Sequence, residues 1–282
     1  SSNYFKFIKF VQKKNGRFHN VVSYNKTFIE QTESEDSFGR AIWALGLILS
    51  RDYLPDHLKK PAKSIFTKAL KWINELESLR AISFTIIGLS NLAEKESSEA
   101  LLKTINNLAA KLIGYWHEHT APDWQWFEDC LTYSNYKLPE ALFRAYAVTN
   151  NKTYLEVAKN AINFLSVVAF EKREYFSPIG QDGWYFRGGK RSYFDQQPED
   201  TASAIEALAA AYAITKNKTY QKQAKLSFEW FLGKNHLNQM VYDEATGGCY
   251  DGLGRFSLNF NQGAESTLSY FLARLAIENL YN

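Results

Sequence analysis

The stretch EALFRAYAVTNNKTYLEVAKNAINFL, residues 140–165, can be laid over EALAAAYAITKNKTYQKQAKLSFEWF, residues 206–231, at a constant offset of 66. Glu140-Ala141-Leu142 falls on Glu206-Ala207-Leu208, and Asn151-Lys152-Thr153-Tyr154 falls on Asn217-Lys218-Thr219-Tyr220. Each copy reads as a helix, a polar turn and a second helix. Ile205, Leu208 and Tyr212 share one helical face, as do Leu226, Trp230 and Phe231. A repeat of this kind marks stacked helical hairpins. Outward from it, the apolar spacing predicts helices over 36–51, 61–77, 79–94, 97–118, 135–149, 152–169, 199–215, 219–233 and 262–280, with one more ending near Val11. Small and apolar residues fill 41–49, 81–92 and 202–213, so these helices are expected inside; the more charged 59–77, 99–118 and 154–159 are expected outside. The alternation predicts an all-α toroid of helical hairpins, with an open solenoid as the competing architecture. Short strand hairpins are expected only in the loop-rich segments 172–197 and 240–260.

Composition narrows the function classes. The 282 residues are 45% hydrophobic and 22% charged, which is a folding composition. A net charge of +3 gives no electrostatic drive toward nucleic acid, so no nucleic-acid partner is expected. No apolar run is long enough to span a membrane, and no leader segment is visible, so no membrane partner and a cytoplasmic location are expected. Cys130 and Cys249 are too few for a disulfide scaffold. The 7 Trp, 17 Tyr and 20 Phe, 16% of the chain, suit either a generous core or a sugar-binding cleft.

The aromatics keep particular company. Carboxylates recur at the starts of the expected inner helices: Glu35 and Asp36 before Arg40, Glu128 and Asp129 before Tyr133, Asp195 with Glu199 and Asp200 around Pro198, and Glu265 after Asn261 and Gln262. Helix capping alone accounts for acids at such positions. It does not account for Trp124, Trp126, Trp184, Tyr185, Arg187 and Tyr193 beside them, nor for the amides Asn135, Gln196 and Gln197. Acids and amides bond hydroxyls, and flat rings cover the apolar faces of sugars. If the inner helices start at one rim, these groups line one mouth suited to a carbohydrate. Trp43, Trp72 and Trp230 fall at helical spacing and are read as packing. Ten of the fifteen glycines lie after residue 179, in the irregular stretches that carry this rim.

Other chemistry tests poorly. His117 and His119 alone make no zinc site, and no metal or cofactor is expected. There is no GxGxxG, Walker loop or GxSxG. Cys249, in a turn with no evident His partner, is read as a structural thiol.

Four segments carry a resemblance: SEDSFGRAIWALG (34–46); WQWFE (124–128) with LTYSN (131–135) and LP (138–139); PIG (178–180) with GWY (183–185), RGG (187–189) and FDQQP (194–198); and WFLG (230–233) with TGGCYDGL (246–253), Asn259 and NQGAESTL (261–268). From about Gly16 onward the chain resembles a bacterial family of six-hairpin, (α/α)6-barrel architecture. Its members are often described as glycosyltransferase-associated or as hypothetical proteins of carbohydrate metabolism. The resemblance implies a single helical-toroid domain over 1–282. It also implies a preceding segment with an Asp-Asp-Asn-Ala-Arg-like motif, so the chain is expected to be N-terminally truncated and to lack the first inner helix. Ser134 stands where many relatives would carry Asp. The wider superfamily implies glycoside hydrolases, polysaccharide lyases and sugar epimerases.

The expected function is therefore a glycoside hydrolase acting on an oligosaccharide, with its paired carboxyl groups drawn from Asp36, Asp129, Asp200 and Glu265. The remaining rim residues are expected to bind substrate. The alternative is a noncatalytic carbohydrate-binding or accessory domain, partnered with or fused to a glycosyltransferase. A sugar epimerase ranks third, because the five His lie mostly on expected outer helices or loops.

Overall fold

The computed structural model describes residues 2–29, 34–171 and 174–281. Helices dominate: α1 (Ser2–Val11), α2 (Glu35–Ser50), α3 (Asp56–Ala69), α4 (Leu79–Lys95), α5 (Glu99–His119), α6 (Lys137–Thr149), α7 (Lys152–Phe170), α8 (Pro198–Thr215), α9 (Lys218–Glu229) and α10 (Ala264–Tyr281). They gather into two compact units, Ser1–Leu112 with Arg144–Tyr154, and Ile113–Phe143 with Leu155–Asn282. No helix among the described residues is long and apolar enough to cross a membrane.

Two helices differ most from their expected spans: α9, expected to reach 233, ends at Glu229, and the start of α3 moves. The helix expected at 61–77 starts at Asp56, passes through Pro61, and gives way to a 3-10 turn at Leu70–Glu75. Pro61 therefore lies inside the helix, five residues beyond its start at Asp56.

In the first unit α4 is buried almost all round, and α2 lies directly against it. A Cβ added at Gly39 would stand 2.6 Å from the Ala81 carbonyl oxygen, one at Gly46 2.2 Å from that of Gly88, and one at Gly88 2.6 Å from that of Ile42. The two backbones touch at these glycines. Trp43 stacks on Phe84 beside this contact.

In the second unit α8 is buried along most of its length and packs against α9 and α10. The repeat reappears atom for atom at the helix turns. Thr149 Oγ1 donates to the Ala145 carbonyl at 2.7 Å, and Thr215 Oγ1 to that of Ala211 at 2.7 Å. Asn150 and Lys216 take left-handed φ of 57° and 56°. Asn151 and Asn217 then accept from the backbone N–H of Thr153 and Thr219. In the first unit Tyr154 donates to Asn106 Oδ1 at 2.9 Å, and in the second Tyr220 donates to Asn163 Oδ1 at the same distance.

Strands are two residues long. Tyr242–Asp243 (β3) pairs with Gly248–Cys249 (β4), and Gly252–Leu253 (β5) with Leu258–Asn259 (β6), both inside the expected segment 240–260. Among the described residues the segment 172–197 has no strand pair of its own: Tyr185–Phe186 (β2) pairs with Cys130–Leu131 (β1), while main-chain bonds such as Ser192 N–H to the Trp184 carbonyl (2.9 Å) join its two halves. Residues 172 and 173 of that expectation lie outside the described residues.

Candidate functional site

Long connections precede α6, α8 and α10 in the second unit, and main-chain bonds join them. Arg187 N–H donates to the Asp129 carbonyl at 2.8 Å beside the β1–β2 pair. Gln196 and Leu253 exchange two main-chain bonds, at 3.0 and 2.9 Å. The side chains expected to share one mouth fall, by their contacts, into separate clusters.

The first cluster sits at the start of α8. Ser134, at a left-handed φ of 49°, turns its N–H onto Asp200 Oδ1 at 2.8 Å, and its hydroxyl donates to the Glu199 carboxylate. Non-glycine residues held at such φ are common at functional sites. The offset of 66 carries Ser134 onto Asp200 itself, so equivalent positions of the repeat meet here. Asp200 is buried, while Glu199 keeps partial access to solvent. Sequence reasoning noted both acids and chose Asp200; burial leaves Glu199 as the one a ligand can reach. Tyr133 is partly exposed next to them. Asp195 is exposed, at a left-handed φ of 57°, and accepts from Gln197 Nε2 at 3.1 Å.

Four of the expected substrate contacts are packing instead. Trp124 is 3% exposed and Trp126 fully buried. Their indole N–H groups are spent on the carbonyls of Glu128 (2.7 Å) and Cys130 (3.1 Å), and their rings pack edge-on against Phe164 and Phe127. Asn135 clasps Thr132 through both its amide oxygen and nitrogen. Gln196, 1% exposed, bonds Ser177, the Tyr193 carbonyl and the Trp230 indole. Buried polar groups satisfied in this way brace the loops. Trp230 is buried as read; Trp43 and Trp72 keep partial exposure.

Asp129 is largely exposed, within ion-pair reach of His119 (3.5 Å) and Arg187 (3.8 Å); Glu128 beside it is partly buried. Near α10, Gln262 donates to Asp243 at 2.8 Å. That bond, followed by the Ala245 N–H, holds the Asp243 carboxyl below its usual range. Asn261 and Glu265 are exposed there. Trp184 is half-buried at φ 56°. In the first unit Glu35 accepts from the N–H groups of Glu77 and Ser78 at 2.9 and 2.6 Å, so it fastens the start of α4. Asp36 pairs with Arg40 at 2.8 Å, and the Arg40 guanidinium lies 4.3 Å over the Phe84 ring.

A buried charge cluster was missed. Lys137 Nζ donates to Glu140 at 2.9 Å and to Glu206 at 2.7 Å, with the lysine 2% exposed. The signal was in the repeat: the offset of 66 pairs Glu140 with Glu206, and Lys137 stands one turn before Glu140. Burial alone pulls the Lys137 ammonium pKa down, but the two glutamates more than reverse this and the net direction is up.

Among the described residues no group of three or more His, Cys, Asp or Glu could hold a metal ion. Cys249 is fully buried, and burial, aided by Asp251, pushes its thiol up to about 12. At pH 7 that leaves on the order of one molecule in 10⁵ as thiolate, the reactive form. Native protein treated with iodoacetamide at pH 7 is expected to stay unmodified at Cys249 by mass spectrometry; modification at the rate seen in urea would remove this assignment.

No protein-family model and no curated protein sequence matches the chain. Solved structures do. Cellobiose 2-epimerase from Spirochaeta thermophila has a TM-score of 0.71 at 9% identity, covering 100% of this chain and 80% of that one. An unsaturated glucuronyl hydrolase from a Bacillus species has 0.71 at 15% identity, covering 98% and 74%. An α-mannanase from Bacteroides thetaiotaomicron has 0.62 at 13% identity, covering 99% and 78%. These are six-hairpin (α/α)6 proteins, and the chain shares their all-α fold.

Proposed function

We propose that the chain is a glycoside hydrolase that holds an oligosaccharide over the first turn of α8. The observation that carries this reading is the pairing at Ser134. It fixes a buried Asp200 through its N–H and a solvent-reachable Glu199 through its hydroxyl. A glycosidase needs two carboxyl groups in distinct environments, and burial next to a fixed anion separates such environments. Glu199 is the carboxyl we assign to the substrate, with Asp200 as its positioning neighbour. The second acid comes from Asp129, Asp195 or Glu265 in the same unit; Asp36, in the other unit, stays in the pool for substitution. Tyr133, Gln197, Trp184, Arg187, Asn261 and Gln262 supply binding groups. The single-domain reading of residues 1–282 belongs to this proposal. It is supported by structural likeness that runs over nearly the whole chain.

Structures of both glycoside-cleaving and epimerising enzymes are similar to this one. The histidines favour cleavage. His19 stacks on Phe28, His57 and His117 are exposed, His119 ends α5, and His236 bonds the Gly254 carbonyl. None lies on α2, α4, α6, α8 or α10.

Purified protein would be screened on manno-, gluco- and galacto-oligosaccharides for new reducing ends. Glu199→Gln is expected to lose about a hundredfold in rate with ligand affinity kept. Saccharide binding without turnover on any substrate would turn the reading to a noncatalytic accessory domain, of the kind that partners a glycosyltransferase. Inversion at C2 of a free sugar, seen by NMR, would turn it to an epimerase.

A further inference from the structure

We infer that the second unit carries a separate saccharide subsite, selective for a negatively charged sugar unit, against the exposed face of α7. It deepens the carbohydrate reading and rests on it for ligand class, but not on hydrolysis. The feature is an open recess of about 550 Å³, within the range of small-ligand sites. Val167, 72% exposed, and Val168 form one wall, and the half-buried rings of Tyr185 and Tyr193 form another. A solvent-exposed valine beside two tyrosine rings is a poor surface for water and a good one for the apolar face of a pyranose.

The floor is built before any ligand arrives. The Arg191 side chain is 5% exposed and lies 4.6 Å from the Tyr193 ring centroid. Its guanidinium donates to the carbonyls of Val168, Ser177 and Pro178, to the Ser177 hydroxyl and to Glu171. Glu171 also accepts from the Tyr193 hydroxyl at 2.9 Å. The ring is thereby held at a fixed angle, so binding costs little further ordering. The charge balance sets the preference. Glu171 is answered by Arg191, and Lys190 remains as an exposed ammonium at the rim. Among the described lining residues, one carboxylate against two cations makes the recess attractive to an anion carried on a sugar. Both a carboxylate, as in a uronic acid, and a sulfate ester offer that chemistry. Neither Glu199 nor Asp200 lines this recess.

The test is calorimetry on the full chain carrying Glu199→Gln, titrated with trigalacturonic acid, a sulfated trisaccharide and neutral maltotriose. Anionic trisaccharides are expected to bind at least tenfold more tightly than the neutral one. Lys190→Ala should erase most of that difference, and Val167→Glu should weaken anionic binding by tenfold or more. Far-UV circular dichroism and unchanged melting confirm that these surface variants fold. The two anionic arms tell carboxylate from sulfate. Equal binding of neutral and anionic sugars, or anionic binding indifferent to both substitutions, would overturn the subsite. Absence of hydrolysis by the unsubstituted chain, with this binding pattern intact, would remove only the catalytic reading.

Discussion

Replacing Lys137 by Met is expected to destabilise the protein by about 3–5 kcal/mol, the usual cost of removing one partner from a buried ion cluster. Lys137 Nζ sits between Glu140 and Glu206, 2% exposed, with Glu140 1% and Glu206 15% exposed. Without the ammonium, two carboxylates on neighbouring helices face each other in a poorly solvated space. Urea unfolding at pH 7 would measure the loss. The pH dependence has a definite sign. The folded Lys137 pKa lies above its ordinary 10.5. Its contribution is therefore fully present below the unfolded value and is lost only as pH rises through the higher folded value. The contribution of Lys137 to the parent should stay constant from about pH 6 to pH 9. Replacing all three residues by apolar ones of similar size should recover most of the stability, because well-packed apolar groups often equal a buried ion cluster. A single variant as stable as the parent would show that the cluster is solvated.

The second large effect lies in the first unit. Two tendencies compete in Gly46→Ala: alanine favours a helix over glycine by about 1 kcal/mol, but its Cβ would lie 2.2 Å from the Gly88 carbonyl oxygen. That atom is backbone and cannot rotate away, so α2 and α4 must separate. Loosening a close-packed helix contact typically costs about 1–3 kcal/mol. We expect Gly46→Ala to be destabilising on balance, and Gly46→Val to lose about 3 kcal/mol, since valine adds bulk and restricts χ1. Thermal melts of the two variants against Gly114→Ala make the comparison. Gly114 lies in α5, where an added Cβ meets nothing within 4 Å, so that change should stabilise or be neutral. A melting temperature for Gly46→Ala at or above the parent would show that the helices are not in backbone contact.

Hydrophobic period and turn residues made the helices legible. The Thr-x-Asn turns at 149–151 and 215–217 sit where the repeat places them. The start of α3 was less legible, because that helix runs through Pro61, where a proline ordinarily ends or kinks one. The site was less legible, for a reason visible at Trp124 and Trp126. Adjacent acids and aromatics signal a cleft only if the rings face out. Here each indole folds inward onto a carbonyl four residues on, a choice made by tertiary packing. Asp200 and Glu199 show the same limit: neighbours in sequence, one buried and one reachable. Lys137 was overlooked because lysine on an alanine-rich helix reads as a solvated face until its two glutamates are placed around it.

The turns Thr149-Asn150-Asn151 and Thr215-Lys216-Asn217 have a consequence for how such a chain can change. Each combines a back-bonded threonine, a left-handed residue and an asparagine cap, and none of the three can be displaced by one position without losing its bond. Insertions and deletions are therefore excluded from these junctions. The connections before α6, α8 and α10 are braced by their own side-chain bonds but run to unequal lengths. Variation in chain length is more readily taken up in these connections, which carry the proposed site. A chain of this architecture can change those connections while its helical register stays fixed.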